Sequence, residues 1–298
     1  MTFRTFDEIE HYILEQKIVK RIALCGSHDE PALEAVAKAR AAGLVEAVLI
    51  GDEPQTKAIL RQMGETAENY EFIHQPNEAE AAKTAIGLVK EGKADFPMKG
   101  LMQTSSYMRA ILDKEAGLLP KGNLISMCTA FEYPDQNRLM IVTDCAVNIT
   151  PDVSDKVQII KNAVRFARAL GIQTPKVAAL SALEKVNPKI VSTVEANELA
   201  GMEWEDCIVE GPFALDNAVS SEAAQHKGIE SRVGGQADIL LCSDLCMGNV
   251  IHKSIHYFAH LKMAGAICGT TCPVIMSSRT DSPNTKYNSI LTAVLQAL

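Results

Sequence analysis

A serine and an arginine, Ser278-Arg279, follow the short apolar run Pro273-Val274-Ile275-Met276. At the carboxyl end of a buried strand, such a pair stands where α/β proteins bind ligands. A hydroxyl donor beside a planar guanidinium fork can hold an anion. Asp281 adds a carboxylate within the same stretch, between Thr280 and Ser282. The sequence around Ser278 is not a G-x-S-x-G elbow, so an electrostatic role, stabilising an oxyanion or a phosphate, suits it better than a nucleophilic one. Upstream, Gly248, Asn249 and Lys253 form a second polar cluster. The pattern is that of an enzyme handling an anionic group, phosphate or an acyl phosphate.

Other clusters also sit at predicted strand ends. Lys99-Gly100, then Thr104, Ser105, Ser106 and Arg109, make a strand–loop–helix unit rich in hydroxyls. It is either a phosphate cradle at a helix N-terminus or an ordinary helix cap with exposed basic residues. Asp144, Asn148, Pro151 and Asp152 suit a ligand crevice, and equally a turn. Gly211, in Glu210-Gly211-Pro212, allows either close approach to a ligand or a tight structural turn. Gly234-Gly235 lacks dinucleotide spacing, and no G-x-G-x-x-G lies between a strand and a helix. His252, His256 and His260 share one face of a helix. With no zincin carboxylate and no zinc-ribbon cysteine pair, a partly buried or interface helix is the better reading than a metal site, so no metal is expected.

Strand-like and helix-like patterns must position these residues. Apolar runs at 21–26, 46–51, 70–74 and 94–98 alternate with helical patterns at 31–42, 53–63 and 77–91. Such βα units call for a parallel sheet with helices on both faces. Two strands at 123–131 and 138–143, separated by Tyr133-Pro134-Asp135-Gln136-Asn137, predict a hairpin that interrupts the rhythm and marks a second lobe. Helices at 153–170, 188–200, 216–226 and 285–296 and strands at 177–180, 207–210 and 239–242 follow.

Composition narrows the function classes. The 298 residues are 47% hydrophobic, enough for one large or two medium cores. A net charge of −8 argues against nucleic acid and anionic membrane as main partners, so any phosphate must be held by a local site. No secretory h-region or 18-residue apolar stretch is visible. Eight scattered cysteines in a chain of this size point to a reduced, cytoplasmic protein.

In their order along the chain, these residues carry a resemblance. Lys99-Gly100 with Thr104 and Arg109, Asp144-Cys145-Ala146-Val147-Asn148 with Pro151, Glu210-Gly211-Pro212 with Asp216, Gly235-Gln236-Ala237-Asp238, Gly248-Asn249 with Lys253, and Ser278-Arg279-Thr280-Asp281-Ser282 resemble the phosphate acetyl/butyryltransferases over nearly the whole chain. The Ser-Arg-Thr-Asp-Ser form and the short length favour the butyryl branch. The resemblance implies a two-lobe fold of the isocitrate/isopropylmalate dehydrogenase class. Its first lobe would be 1–135 plus 267–298 and its second 136–266, with the active site in the cleft between them. It implies reversible transfer of a short acyl group, butyryl or branched C4–C5, between CoA and inorganic phosphate. No cofactor would be tightly bound, and a homo-oligomer, dimer or higher, is expected. Ser278, Arg279 and Asp281 would be catalytic. Lys99, Gly100, Thr104, Arg109, Asn148, Pro151, Gly211, Asn249 and Lys253 would contact substrates. In the acetyl branch an aspartate further on serves as base; here that stretch is Pro283-Asn284-Thr285-Lys286, which leaves Asp281 as the nearest acid. The alternatives are a phosphate acetyltransferase, a metal- and NAD-dependent decarboxylating dehydrogenase of the same fold, and a non-catalytic CoA-binding module.

Overall fold

The computed structural model describes residues 1–278 and 280–298. The chain divides into two compact units, Phe6–Asn123 with Ala264–Leu298, and Met1–Thr5 with Leu124–Met263.

The first unit opens with α1 (Phe6–Glu15), which buries Phe6, Ile9 and Ile13 along one helical stripe. Strands β1 (Lys20–Cys25), β2 (Val45–Gly51), β3 (Glu71–His74) and β4 (Phe96–Lys99) alternate with α2 (Glu30–Ala41), α3 (Glu53–Gln62), α4 (Glu78–Lys90) and α5 (Thr104–Ile111). The strands lie in the order β3-β2-β1-β4, all parallel. Helices start abruptly because Asp29, Asp52 and Asn77 cap them, each side chain accepting a free N–H of the first turn. The carboxyl ends of β1 and β4 interlock: Gly100 N–H donates to Cys25 C=O and Leu101 N–H to Gly26 C=O, both at 2.8 Å. A Cβ on Gly100 would stand 2.3 Å from Gly26 O, so only glycine permits this approach.

The second unit holds the expected hairpin, β5 (Ser126–Tyr133) antiparallel to β6 (Arg138–Thr143), turned at Asn137 with φ 46°. After it come α6 (Val153–Ala169), β7 (Lys176–Leu180), α7 (Val191–Ala200), β8 (Ile208–Phe213), α8 (Leu215–Val219), α9 (Ser221–His226), β9 (Ile239–Leu241) and α10 (Leu245–Tyr257). Its strands lie in the order β5-β6-β9-β7-β8, parallel apart from the hairpin.

The chain then forms β10 (Met263–Cys268) and α11 (Pro283–Gln296). Helix α11 packs against α1 and α2 and is buried from Thr285 to Leu295. Between them, Val274 bridges Ile267, and Ile275 bridges Met98 in parallel. Lys99 N–H donates to Ile275 C=O at 3.0 Å, and Ile275 N–H to Pro97 C=O at 3.1 Å. Because this bridge runs parallel to β4, the residues that follow it emerge at the same sheet edge as Lys99-Gly100.

Some local expectations change. The run 273–276 is a pair of bridges, not a strand, because its pairing lasts for Val274 and Ile275 alone. The helix at 216–226 is two helices broken at Ser220, whose hydroxyl accepts Ala223 N–H to cap the second. Helix α10 ends at Tyr257, and His260 lies beyond it with φ 52°, so the three-histidine face does not form. Helix α1 and strand β10 were not read from the sequence.

Candidate active site

The carboxyl edge of the first unit's sheet gathers buried polar side chains. Ser27, Asp29 and Lys99 end or follow strands there, and Ser277, Asp281 and Lys286 are buried in the segment that bridges to β4 and in the helix after it. Ser278 is half-buried. Its N–H donates to Asp281 Oδ2 at 2.7 Å, and its Oγ lies 3.0 Å from Thr280 Oγ1. Asp281 N–H returns a bond to Ser278 C=O at 3.2 Å. The Ser278 turn is therefore closed by its own aspartate. Arg279 lies outside the described residues.

Lys286, on the first turn of α11, was not singled out from the sequence. Its ammonium donates to Ser277 Oγ at 2.8 Å and to Ser278 C=O at 3.0 Å, and the residue is 1% exposed. Burial draws its pKa below the ordinary lysine value, while the charges of Asp29 and Asp281 oppose that shift. A signal was available: Lys286 is the one charged residue in Pro283–Gln296, a helix otherwise small, polar or apolar.

Lys99 is 2% exposed, with Nζ 3.3 Å from Gly100 O. Burial pushes the adjacent Cys25 thiol up to about 12, and the charge of Lys99 opposes this. Thr104 is exposed at the start of α5, where Gln103 N–H donates to the Glu78 carboxylate at 2.9 Å. Arg109 is exposed on a groove of about 830 Å3 between α4 and α5, with Lys83, Lys90 and Asp113. Lys99 and Ser278 are not among that groove's lining residues.

The second unit organises its candidates around a carboxylate. Asp144 Oδ1 accepts the N–H groups of Met127 (3.0 Å), Ala146 (3.0 Å) and Val147 (3.2 Å). Its Oδ2 accepts Asn148 N–H at 2.8 Å and the Asn148 amide at 2.5 Å. The Asn148 amide also donates to Ile125 C=O at 2.9 Å. A Cβ on Gly248 would fall 1.9 Å from Asp144 O, so α10 crosses this loop at a glycine. Asn249 is exposed on α10, with Lys253 one turn later and partly buried. Pro151 is buried just ahead of Asp152, which caps α6. A Cβ on Gly211 would meet Ala179 Cβ and O at 2.9 Å, so that glycine lets β8 lie against β7. His252 Nδ1 lies 3.1 Å from Thr129 Oγ1. Among the described residues, no group of three or more His, Cys, Asp or Glu is placed to hold a metal.

Comparison with known proteins bears on this arrangement. The profile of the phosphate acetyl/butaryl transferase family matches residues 59–294. Phosphate butyryltransferase of Clostridium acetobutylicum is 41% identical over 298 residues, 99% of this chain and 98% of that protein. Phosphate acetyltransferase of Thermotoga maritima is 40% identical over 275 residues, 91% of this chain and 93% of that one. The crystal structure of a branched-chain phosphotransacylase from Enterococcus faecalis V583 superposes with a TM-score of 0.85 at 32% identity, covering 93% of this chain and 99% of that one. These findings correct the assignment to the isocitrate/isopropylmalate dehydrogenase class. The fold is that of the phosphotransacylases, and the dehydrogenase likeness found is a distant one, to 4-hydroxythreonine-4-phosphate dehydrogenase from Klebsiella pneumoniae (TM-score 0.51, 13% identity). The physical reason is that alternating strand and helix patterns dictate a parallel α/β sheet, whereas strand order depends on how crossovers pack.

Proposed function

The chain belongs to the phosphate acetyl/butaryl transferase family, and from that premise we propose how it works as a phosphate butyryltransferase, moving a short acyl group reversibly between CoA and inorganic phosphate. The observation that carries the site reading is the Ser278 turn, brought by a parallel bridge to the sheet edge that also presents Lys99.

In the acyl-CoA direction a phosphate oxygen attacks the thioester carbonyl, the carbonyl oxygen becomes an oxyanion, and the CoA thiolate leaves. Ser278 Oγ and Arg279 hold phosphate and the developing negative charge. The removal of one such donor costs about 3–4 kcal/mol of transition-state stabilisation. In the reverse direction a base must take the CoA thiol proton, because free thiols ionise only near pH ~8.5. Asp281 is the acid at hand, with Oδ2 already accepting Ser278 N–H. Transfer is direct in this reading, and Cys25, the thiol beside Lys99, is no nucleophile for it, because burial pushes it up to about 12. Lys99, Gly100, Thr104, Arg109, Asn148, Pro151, Gly211, Asn249 and Lys253 are the proposed substrate contacts.

We also propose a cytoplasmic homo-oligomer. Its eight cysteines are all free, which suits a reducing compartment. Helix α10 exposes Val250 and Tyr257, followed by Phe258 at 84% exposure, and a second copy would cover this apolar patch. No helix among the described residues is long and apolar enough to cross a membrane.

The test is phosphate-dependent release of CoA from acetyl-, butyryl- and isobutyryl-CoA, followed with a thiol reagent. C4 substrates should be preferred. A preference for acetyl-CoA would favour the second reading, a phosphate acetyltransferase, which the 40% identity to the Thermotoga enzyme supports. Discrimination of about 1–3 kcal/mol per methylene is what an apolar pocket can supply, so activity on neighbouring chain lengths is expected.

A further inference from the structure

Both backbone polar groups of Ser278 are held by buried charged side chains. Its N–H is taken by Asp281 Oδ2 at 2.7 Å, and its C=O by the Lys286 ammonium at 3.0 Å. Lys286 also fixes the preceding side chain, Ser277 Oγ, at 2.8 Å. The lysine is 1% exposed and Asp281 8%, while the Ser278 hydroxyl at the head of the turn stays partly exposed.

A cation in that position is costly for the fold alone. Removing an ammonium from water is costly, and well-packed apolar residues often replace buried ion pairs without loss of stability. Helix α11 is otherwise free of charge and buried on nearly every side, so an apolar residue at 286 would suit its packing. The lysine instead spends its hydrogen bonds on Ser277 and Ser278, with Asp29 and Asp281 as its opposing charges. Its positive charge lies directly behind the Ser278 turn, where low local dielectric strengthens its field.

We propose that Lys286 is a positioning residue for phosphate: it locks the Ser277–Ser278 backbone so that the Ser278 hydroxyl points at the anion, and adds a buried positive charge behind it. This rests on the reading of Ser278 as part of the phosphate site. Lys286 touches no reacting atom in this proposal and acts through Ser278.

The test compares S278A, K286M and S277A for kcat, for the KM of phosphate and of butyryl-CoA, and for melting temperature. S278A should lose about 100-fold or more in kcat, in keeping with the loss of an oxyanion donor. K286M should raise the phosphate KM roughly tenfold and leave the butyryl-CoA KM within about twofold, as expected when a buried charged hydrogen-bonding partner is lost. S277A removes the lysine's bond to Ser277 Oγ while its bond to Ser278 C=O remains, and should shift the phosphate KM in the same direction by roughly threefold. If the lysine merely supported the fold, K286M would lower the melting temperature without splitting the two KM values. If S278A is impaired while S277A and folded K286M keep a wild-type phosphate KM, the proposal is overturned. If K286M does not fold, S277A decides alone. A fully active S278A would overturn the reading beneath the proposal as well.

Discussion

Two charged centres in this protein use the same chemical groups to opposite ends. Around Asp144 a carboxylate gathers N–H groups from Met127, Ala146, Val147 and Asn148, and both its oxygens are occupied by its own backbone and by Asn148. Around Ser278, buried charges of both signs hold the backbone of a turn and leave the hydroxyl near the surface. The first centre consumes its donors internally; the second keeps its hydroxyl near the surface, beside the Thr280 hydroxyl. A polar cluster at a strand end is thus scaffold or site according to where its donors go.

If that contrast holds, substitutions should separate stability from activity. Asp144→Ala should have the largest effect on folding. It would leave the buried Met127 N–H and the partly buried Ala146, Val147 and Asn148 donors without their acceptor, at about 1–3 kcal/mol for each that water does not reach, so a loss of roughly 3–5 kcal/mol is expected by urea denaturation. A loss below about 1 kcal/mol would mean that water satisfies those groups and would break the comparison.

Arg279→Ala should raise the phosphate KM and cut turnover sharply, by about 100-fold on the scale of a lost oxyanion contact, with an unchanged urea midpoint. Unchanged phosphate kinetics would remove Arg279 from the site.

Asp281→Asn sharpens the comparison, because the amide oxygen can still accept Ser278 N–H while the charge is lost. As a base, Asp281 should account for about 100-fold in the rate of CoA acylation by acyl phosphate, the low end of general-base effects. An unaffected kcat would move the base elsewhere and leave Asp281 a holder of the turn.

The smallest effect concerns pH. Burial depresses the folded pKa of Lys286, so the folded state binds fewer protons than the unfolded one between that lowered value and the ordinary ~10.4. The destabilising contribution is therefore full below the lowered value and fades as pH rises through the window. Relative to K286M, the wild type should gain melting temperature between neutral pH and pH ~10. A constant difference would show that the lysine is not strained by its burial.

Much of the fold was legible because its signals are local. Asp29, Asp52 and Asn77 cap the helices that follow β1, β2 and β3, and Asn137 turns the hairpin, all from residue types that favour those conformations. Which parallel α/β fold the alternation builds was not legible, since it depends on long-range packing, and the dehydrogenase-class assignment gives way to the phosphotransacylase match. Strand β10 escaped because Met-Ala-Gly-Ala-Ile-Cys mixes small residues that carry no strand period. The run ending at Ser278 was read as a strand because apolar residues signal burial, whereas the pairing of Val274 and Ile275 depends on partners distant in sequence. Lys286 was missed because a lysine in a helix usually faces solvent, and only its isolation among uncharged neighbours hinted otherwise.

The most direct measurement is release of CoA from butyryl-CoA by wild type and S278A, with and without phosphate. Release should require phosphate, and S278A should reduce kcat by about 100–1000-fold at an unchanged melting temperature, as removal of an oxyanion donor does. Release that ignores phosphate, or a folded S278A as fast as wild type, would contradict acyl transfer to phosphate at this turn.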